Sequence, residues 1–410
     1  MPGLEKVFER IDGYRDEVIR VQGELTARTA LGPDNGGSGE HDKAEFIMEL
    51  LGSMAPDFLE EFKAPDERAK NGYRPNVIAK WGSGRADSMV WALSHSDIVP
   101  PGDLSLWKSD PYQLKVDGDR ITGRGVEDNQ HGFVSSYLAL KAIRESGRSP
   151  EMPVGLAVVA DEETGSSYGL SYLLENHGDL FSEQDLIVVP DGGNEEGTMI
   201  EVAEKSMLWV RFIVTGKQCH GSTPQKGRNS LFGAARMIVA LDRLKRRFDL
   251  SDDLFKPPVS TFEPTKMEAN VPNINTIPGR DVFYMDCRIL PGYDMDEIIS
   301  ACREIAADIG GDLGVEILTE VAYRQDATEP TSADAQVVRA LEQAIRRVTG
   351  KEAEPMGIGG GTVAAFLRRA GLSAAVWSSV CDSAHQPNEY CLISKILTDA
   401  KIFACLYMNG

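Results

Sequence analysis

Apolar and polar positions along the chain follow two rhythms, and the change between them divides it. Residues 4–29 and 41–54 carry apolar side chains at three- and four-residue spacing, which predicts helices; the loop PDNGGSGEHD lies between them. After that, short continuous apolar runs take turns with helical patterns. SMVWALSHSD (88–97), VGLAVVAD (154–161) and DLIVVPD (185–191) predict strands, and 129–146 and 168–177 predict helices. Strands buried on both faces show no polar alternation. The pattern therefore predicts an α/β domain built on a mostly parallel, helix-covered sheet.

Near residue 200 the rhythm changes. MLWVRFIVTG, a helix at about 229–247, DVFYMDCRIL, a helix at about 295–309 and GVEILTEV form a strand–helix–strand–helix–strand set of domain size. The α/β pattern then resumes with helices at 333–349, 362–370 and 392–408 and the strand SAAVWSS. The expected organisation is one domain made of 1–202 and 320–410, interrupted by a smaller α+β sandwich at 203–319.

Composition narrows the function classes. The chain has 410 residues, 63 acidic against 43 basic, and a formal net charge of −20. Nucleic acid and anionic membrane surfaces call for a basic footprint, so both are expected to be absent as partners. No apolar run reaches the roughly 20 residues of a spanning helix, and MPGLEKVFERIDGYRDEV does not read as a signal peptide. The six cysteines form no CxxC pair, which fits reduced thiols and a cytoplasmic location and argues against a zinc–thiolate site.

Ligands of open α/β sheets gather at the carboxyl ends of the strands. Three apolar runs end there in candidate metal ligands: His95 and Asp97, then Asp161, Glu162 and Glu163, then Asp191. Locally each has a second reading. A strand-end acid serves equally as a helix cap or turn former, and His95 with Asp97 reads either as a ligand held by its partner or as a surface pair. GRGVEDNQHG (123–132) fails the dinucleotide pattern GxGxxG because Asp128 stands at the third glycine position, and Asp128 also reads as a cap. AHQPNE (384–389) places His385 ahead of the last helix, and GSSYG (165–169) imitates a nucleophile elbow around Ser167. In a true elbow the strand runs straight into the first glycine, whereas here the acids and Thr164 intervene.

Taken in order, SHSDIVP, WKSDPYQLKVDGDRITGRGVEDNQHG, VVADEETGS, VVPDGG, GKQCHGSTPQKGRNS, NINTIPGR and AHQPNE resemble one family over residues 70–410. It is the co-catalytic zinc metallopeptidase family of succinyl-diaminopimelate desuccinylase, acetylornithine deacetylase, aminoacylase and glutamate carboxypeptidase. The resemblance implies a zinc-exopeptidase-like catalytic domain, an inserted lid or dimerisation domain, and two divalent ions per subunit, zinc first, with cobalt or manganese as alternatives. It implies that His95 and Asp191 ligate one ion, Glu163 and His385 the other, and that Asp128 bridges both, followed by a cis peptide bond at Asp128–Asn129. Asp97 would orient His95, Glu162 would act as general base toward a metal-bridging water, and His220 would reach the partner subunit's site in a homodimer. Asn275, Arg288, Gly361 and Thr362 fall where substrate contacts are expected, although Arg288 also reads as a strand partner of Asp286. The activity implied is hydrolysis of the amide of an N-acyl amino acid, desuccinylase-like or deacetylase-like. The alternatives are a dipeptidase or carboxypeptidase of the same family and, remotely, a metal-free binding protein on the same fold. The sequence departs from its relatives at NQHG after Asp128 and at GGGTVAAFL (359–367), where GGTSD is frequent.

Overall fold

The computed structural model describes residues 2–82 and 88–409. These divide into two compact units: Met1–Val202 with Pro330–Pro355 and Thr362–Gly410, and Ala203–Glu329 with Met356–Gly361. The second unit runs past the expected boundary at 319 because its last strand, Glu316–Gln325, pairs along the whole of Ser206–Thr215, as far as Gln325 opposite Met207.

An eight-stranded sheet has the spatial order Phe58–Pro65, Tyr73–Trp81, Val154–Val159, Val90–His95, Leu186–Asn194, Ala374–Ser379, Met199–Glu204 and Glu354–Ile358. Val154–Val159, Val90–His95, Leu186–Asn194 and Ala374–Ser379 run parallel. Tyr73–Trp81 and Phe58–Pro65 on one side, and Met199–Glu204 on the other, join antiparallel. The parallel strands VWALSH and VGLAVV are buried at every position, which is why they read as continuous apolar runs. Phe58–Pro65 and Tyr73–Trp81 carry charges and prolines (FLEEFKAP, YRPNVIAKW), so apolar patterning does not reveal them. Helix Gln130–Glu145 is buried over most of its length. Gly132 in its first turn is obligatory, since a Cβ there would come within 2.4 Å of the Pro190 carbonyl oxygen, next to Asp191.

The helix read over 4–29 is broken at Gly13–Tyr14 into Pro2–Asp12 and Arg15–Ala27. The second strand is shorter than read: it stops at Val159 because Asp161 takes a left-handed backbone (φ 61°). The acids therefore sit on a 3₁₀ turn, Glu162–Thr164, and not on the strand itself.

The second unit is a four-stranded antiparallel sheet in the order Thr261–Met267, Arg280–Ile289, Ser206–Thr215, Glu316–Gln325. The strand Thr261–Met267 lies outside the three that the sequence pattern marks. Helices Ser230–Leu241 and Met295–Leu313 contribute Ala234, Met237, Ile298 and Cys302 to one core with Leu208, Val210 and Phe212 of the sheet. The opposite face stays open, with Trp209, Leu318 and Tyr323 exposed.

Candidate metal centre

The carboxyl ends of three adjacent parallel strands deliver His95, the turn of Glu162 and Glu163, and Asp191 to one edge of the eight-stranded sheet. Asp128 arrives on the loop before helix Gln130–Glu145, and His385 on the loop after Ala374–Ser379. His95 Nε2 lies 2.9 Å from Asp128 Oδ1 and 3.6 Å from Asp191 Oδ1. His385 Nε2 lies 3.0 Å from Asp128 Oδ2 and 3.1 Å from Glu163 Oε2. Asp128 thus gives one oxygen to each imidazole. Ligand atoms of His95, Asp128 and Glu163 come within 4.8 Å of one another, and so do those of His95, Glu162 and Asp191.

This donor set suits cations. Asp128, Glu162, Glu163 and Asp191 crowd together, and no lysine or arginine pairs with any of them among the described residues. Burial, then repulsion from Asp191, pushes Glu162 well above the usual carboxylate range; burial likewise raises Glu163 and Asp191. Burial acts against Asp128 too, but hydrogen bonds from His385 and His95 outweigh it and hold its pKa low. Hydrogen bonds to Asp128 and then Glu163 push His385 up to about 10. Burial lowers His95, and the facing Asp191, Asp128 and Asp97 overcome it. Imidazole and carboxylate donors at this spacing fit two divalent ions of the zinc, cobalt or manganese type, with four positive charges against the four carboxylates. His95, Asp128 and Asp191 could hold one, and Glu163, His385 and Asp128 the other.

Asp97 does more than its spacing suggests. The proton on His95 Nδ1 goes to the backbone carbonyl of Asp97 at 3.0 Å, with the carboxylate farther away at 3.5 Å. The carboxylate instead accepts the backbone N–H groups of Glu162 (3.1 Å) and Glu163 (3.0 Å). One buried residue thereby fixes the imidazole and both glutamates.

Other positioning groups were invisible to spacing. Asn129 donates to Pro190 O (2.7 Å) and Asp191 Oδ1 (2.8 Å) and accepts the His95 N–H (3.3 Å). The bond Asp128–Asn129 is cis. Glu389, fully buried, accepts the N–H groups of Gly125 (3.0 Å), Glu127 (2.9 Å) and Asp128 (3.1 Å) and pairs with Arg124 at 2.6 Å. Glu127 reaches the other way, to the N–H groups of Ser383 (2.6 Å) and Cys381. The Asp128 and His385 loops are therefore laced together by two carboxylates. Lys43, on helix His41–Gly52, is buried, and burial lowers its pKa to about 8 against the pull of Asp97, Glu40 and Glu389. His131 pairs with Asp399 at 2.8 Å and takes no part in the cluster. Ser167 lies on an exposed turn beyond the acids.

A cavity of about 210 Å³ opens beside Asp128 and Asp191, lined also by Gly192, Gly193, Ser378 and Asp382. Thr362 Oγ1 accepts the N–H of Ala364 at the start of helix Ala364–Arg369.

In the second unit, His220 and Asn275 share a two-stranded ribbon. Gly221 N donates to Asn275 O at 2.7 Å, and His220 pairs with Thr276. His220 Nδ1 accepts the Ser222 N–H at 3.1 Å, which leaves the proton on the exposed Nε2. Arg288 makes a two-pronged pair with Asp286 (2.7 and 3.0 Å), the alternative its spacing left open, and donates to Gly359 O at 2.8 Å. Gly361 sits beside Met207 and Gln325 in the same unit.

The model of peptidase family M20/M25/M40 matches residues 92–409. An uncharacterized metallohydrolase of Methanococcus maripaludis is 41% identical over 409 residues, covering 95% of this chain and 98% of its own. A succinyl-diaminopimelate desuccinylase of Dinoroseobacter shibae is 27% identical over 78% of this chain and 83% of its own. The fold matches the dipeptidase Dug1p of Saccharomyces cerevisiae with a TM-score of 0.75 at 16% identity, over 98% of both chains. No helix among the described residues is long and apolar enough to cross a membrane. The chain belongs to peptidase family M20/M25/M40 and is a metal-dependent hydrolase of amide bonds.

Proposed function

We propose that the protein is a two-metal amidohydrolase that cleaves the amide of a small substrate bearing a free carboxylate, an N-acyl amino acid before a short peptide. The observation that carries this reading is Asp128, whose two oxygens face His95 and His385 at 2.9 and 3.0 Å. When bound, two divalent ions, zinc by preference for this donor set, supply an acidified water and an electrophile for the carbonyl.

The chain's own groups do the rest. Glu162 has no ion-pair partner among the described residues; burial raises its pKa, and the positive charge of two bound ions would oppose that and keep it a carboxylate. It takes the proton of the attacking water and returns it to the leaving nitrogen. Asp97 holds Glu162 and Glu163 by their N–H groups, so base and ligand keep a fixed spacing. His220, with its proton on Nε2, is a donor for the oxyanion of the tetrahedral intermediate. Arg288, Asn275, Gly361 and Thr362 are assigned to substrate contacts. For Arg288 this means exchanging Asp286 for a substrate carboxylate, which a guanidinium binds with the same two-pronged geometry. The cavity of about 210 Å³ suits an amino-acid-sized group.

A homodimer through the second unit is supported by its open edge strand Glu316–Gln325, with Leu318, Val321 and Tyr323 exposed, and by Phe232 and Val239 on helix Ser230–Leu241. Six free cysteines support a cytoplasmic location. The test is a hydrolysis screen of zinc- and cobalt-loaded protein against N-succinyl amino acids, N-acetyl amino acids and dipeptides. Release of the acyl group is expected. Release of a C-terminal amino acid from dipeptides alone would move the assignment to a peptidase, and no turnover with two ions bound would overturn it.

A further inference from the structure

We infer that Arg74 and Glu40, both ahead of the family-matched segment 92–409, are positioning residues for the Glu162–Glu163 turn and act through Asp161. This rests on the amidohydrolase reading above for its effect on turnover, though not for its effect on the turn itself.

Asp161 is the acid of the triplet without a role at the metal centre. It is buried, and its left-handed backbone (φ 61°) is a conformation that a non-glycine residue holds only when its surroundings impose it. The turn is wrapped around it. Its carbonyl accepts the Ser166 N–H at 2.6 Å, and its carboxylate accepts the Tyr168 N–H at 3.0 Å and the Thr164 hydroxyl.

The cation facing this carboxylate is Arg74, from strand Tyr73–Trp81, with Nη1 3.3 Å from Asp161 Oδ1. Arg74 is fully buried, and its own orientation is set from the other side by Glu40, whose carboxylate accepts Nε at 2.7 Å and also takes Nη2. Glu40 is likewise fully buried and immediately precedes helix His41–Gly52. The Gly- and Asn-rich loop before it is shaped to the guanidinium: a Cβ on Gly32 would lie 2.9 Å from Arg74 Nη2. That nitrogen is pinned by Glu40, so it has nowhere to yield. The route from the N-terminal segment to the turn is thus Glu40, Arg74, Asp161. Its far end is one residue from Glu162, and the turn's N–H groups are fixed separately by Asp97.

A buried ion pair whose partner is removed leaves an uncompensated charge, so truncating Arg74 disturbs Asp161 rather than merely vacating space. The test uses Arg74→Lys, Arg74→Ala and the near-isosteric Glu40→Gln in the full chain, each loaded with cobalt(II). Three readings are taken: bound metal, kcat and KM on the substrate the wild type hydrolyses in the screen above, and amide hydrogen exchange. The expected result is two ions retained, KM within about twofold, and kcat lowered by roughly 10- to 100-fold, the range for partners behind metal ligands. The Ser166 and Tyr168 amides should exchange at least about tenfold faster, with the strands unchanged, and methylguanidinium should partly restore kcat to Arg74→Ala. A kcat within about twofold of wild type, or unchanged exchange at Ser166 and Tyr168, would overturn the inference. If the arginine variants do not fold, Glu40→Gln decides. If the wild type hydrolyses nothing, the functional reading falls, and the exchange of the two amides still decides this one.

Discussion

Asp128 touches both histidines of the cluster, His95 through Oδ1 at 2.9 Å and His385 through Oδ2 at 3.0 Å. Neither imidazole has an ion-pair contact with the other's second carboxylate: His95 also faces Asp191, and His385 also faces Glu163. Among the described residues, Asp128 is the carboxylate in ion-pair contact with both imidazoles.

Asp128→Ala should therefore damage both half-sites at once. After remetallation and gel filtration, elemental analysis should find one ion or fewer per chain, against the two expected for the wild type. Turnover should fall by more than the roughly 10- to 100-fold seen when groups behind the ligands are removed. Two retained ions would contradict the shared-ligand geometry.

Glu162→Gln should separate binding from chemistry. The amide keeps the shape and the bound metal, while kcat falls by about 10² to 10⁴, the usual weight of a positioned general base. Glu163→Gln should instead lose metal, since His385 would keep only Asp128 as an anionic partner. Equal metal loss in both variants would refute the division of labour.

Lys43 supplies a pH dependence of stability with a definite sign. Burial lowers its folded pKa to about 8 from 10.5, so between those values the unfolded chain carries a proton that the folded chain does not. Stability must then rise with pH across that window, by about 3 kcal/mol from this group alone, and the gain is absent below pH 8. Urea denaturation of EDTA-treated protein at a series of pH values should show the slope, and Lys43→Met should flatten it. An identical slope in the variant would show that Lys43 keeps its proton when buried.

The proposed role of His220 in trans is tested with mixed subunits. His220→Ala and Glu162→Ala are each expected to be nearly inactive. Co-refolded, they should regain activity, because one composite site then holds an intact Glu162 and an intact His220 from opposite chains. No recovery would confine His220 to its own subunit.

The parallel centre of the sheet was legible because burial on both faces forces continuous apolar runs, and their ends located His95, the acid triplet and Asp191. The strands Phe58–Pro65 and Tyr73–Trp81 were not, because charge and proline mask their period. Within the cluster, residue types pointed to ligands but not to their supports. Asp97 lies two residues from His95, so spacing suggested a carboxylate–imidazole bond, whereas its carbonyl takes that bond and its carboxylate holds the glutamate turn. Nothing local shows that Glu389 binds the backbone of Gly125, Glu127 and Asp128, or that Glu127 binds the backbone of Cys381 and Ser383 just ahead of His385.

The lacing of the Asp128 loop to the His385 loop also sets an order of events during synthesis. His95, Asp128, Glu163 and Asp191 emerge from the ribosome long before residues 381–389. Until those arrive, the Asp128 loop lacks the Glu389 carboxylate that gathers three of its N–H groups, and the second half-site lacks its imidazole. A chain stalled before those residues lacks both the second imidazole and the carboxylate that gathers the Asp128 loop, so the second half-site can form only after the first has been synthesised.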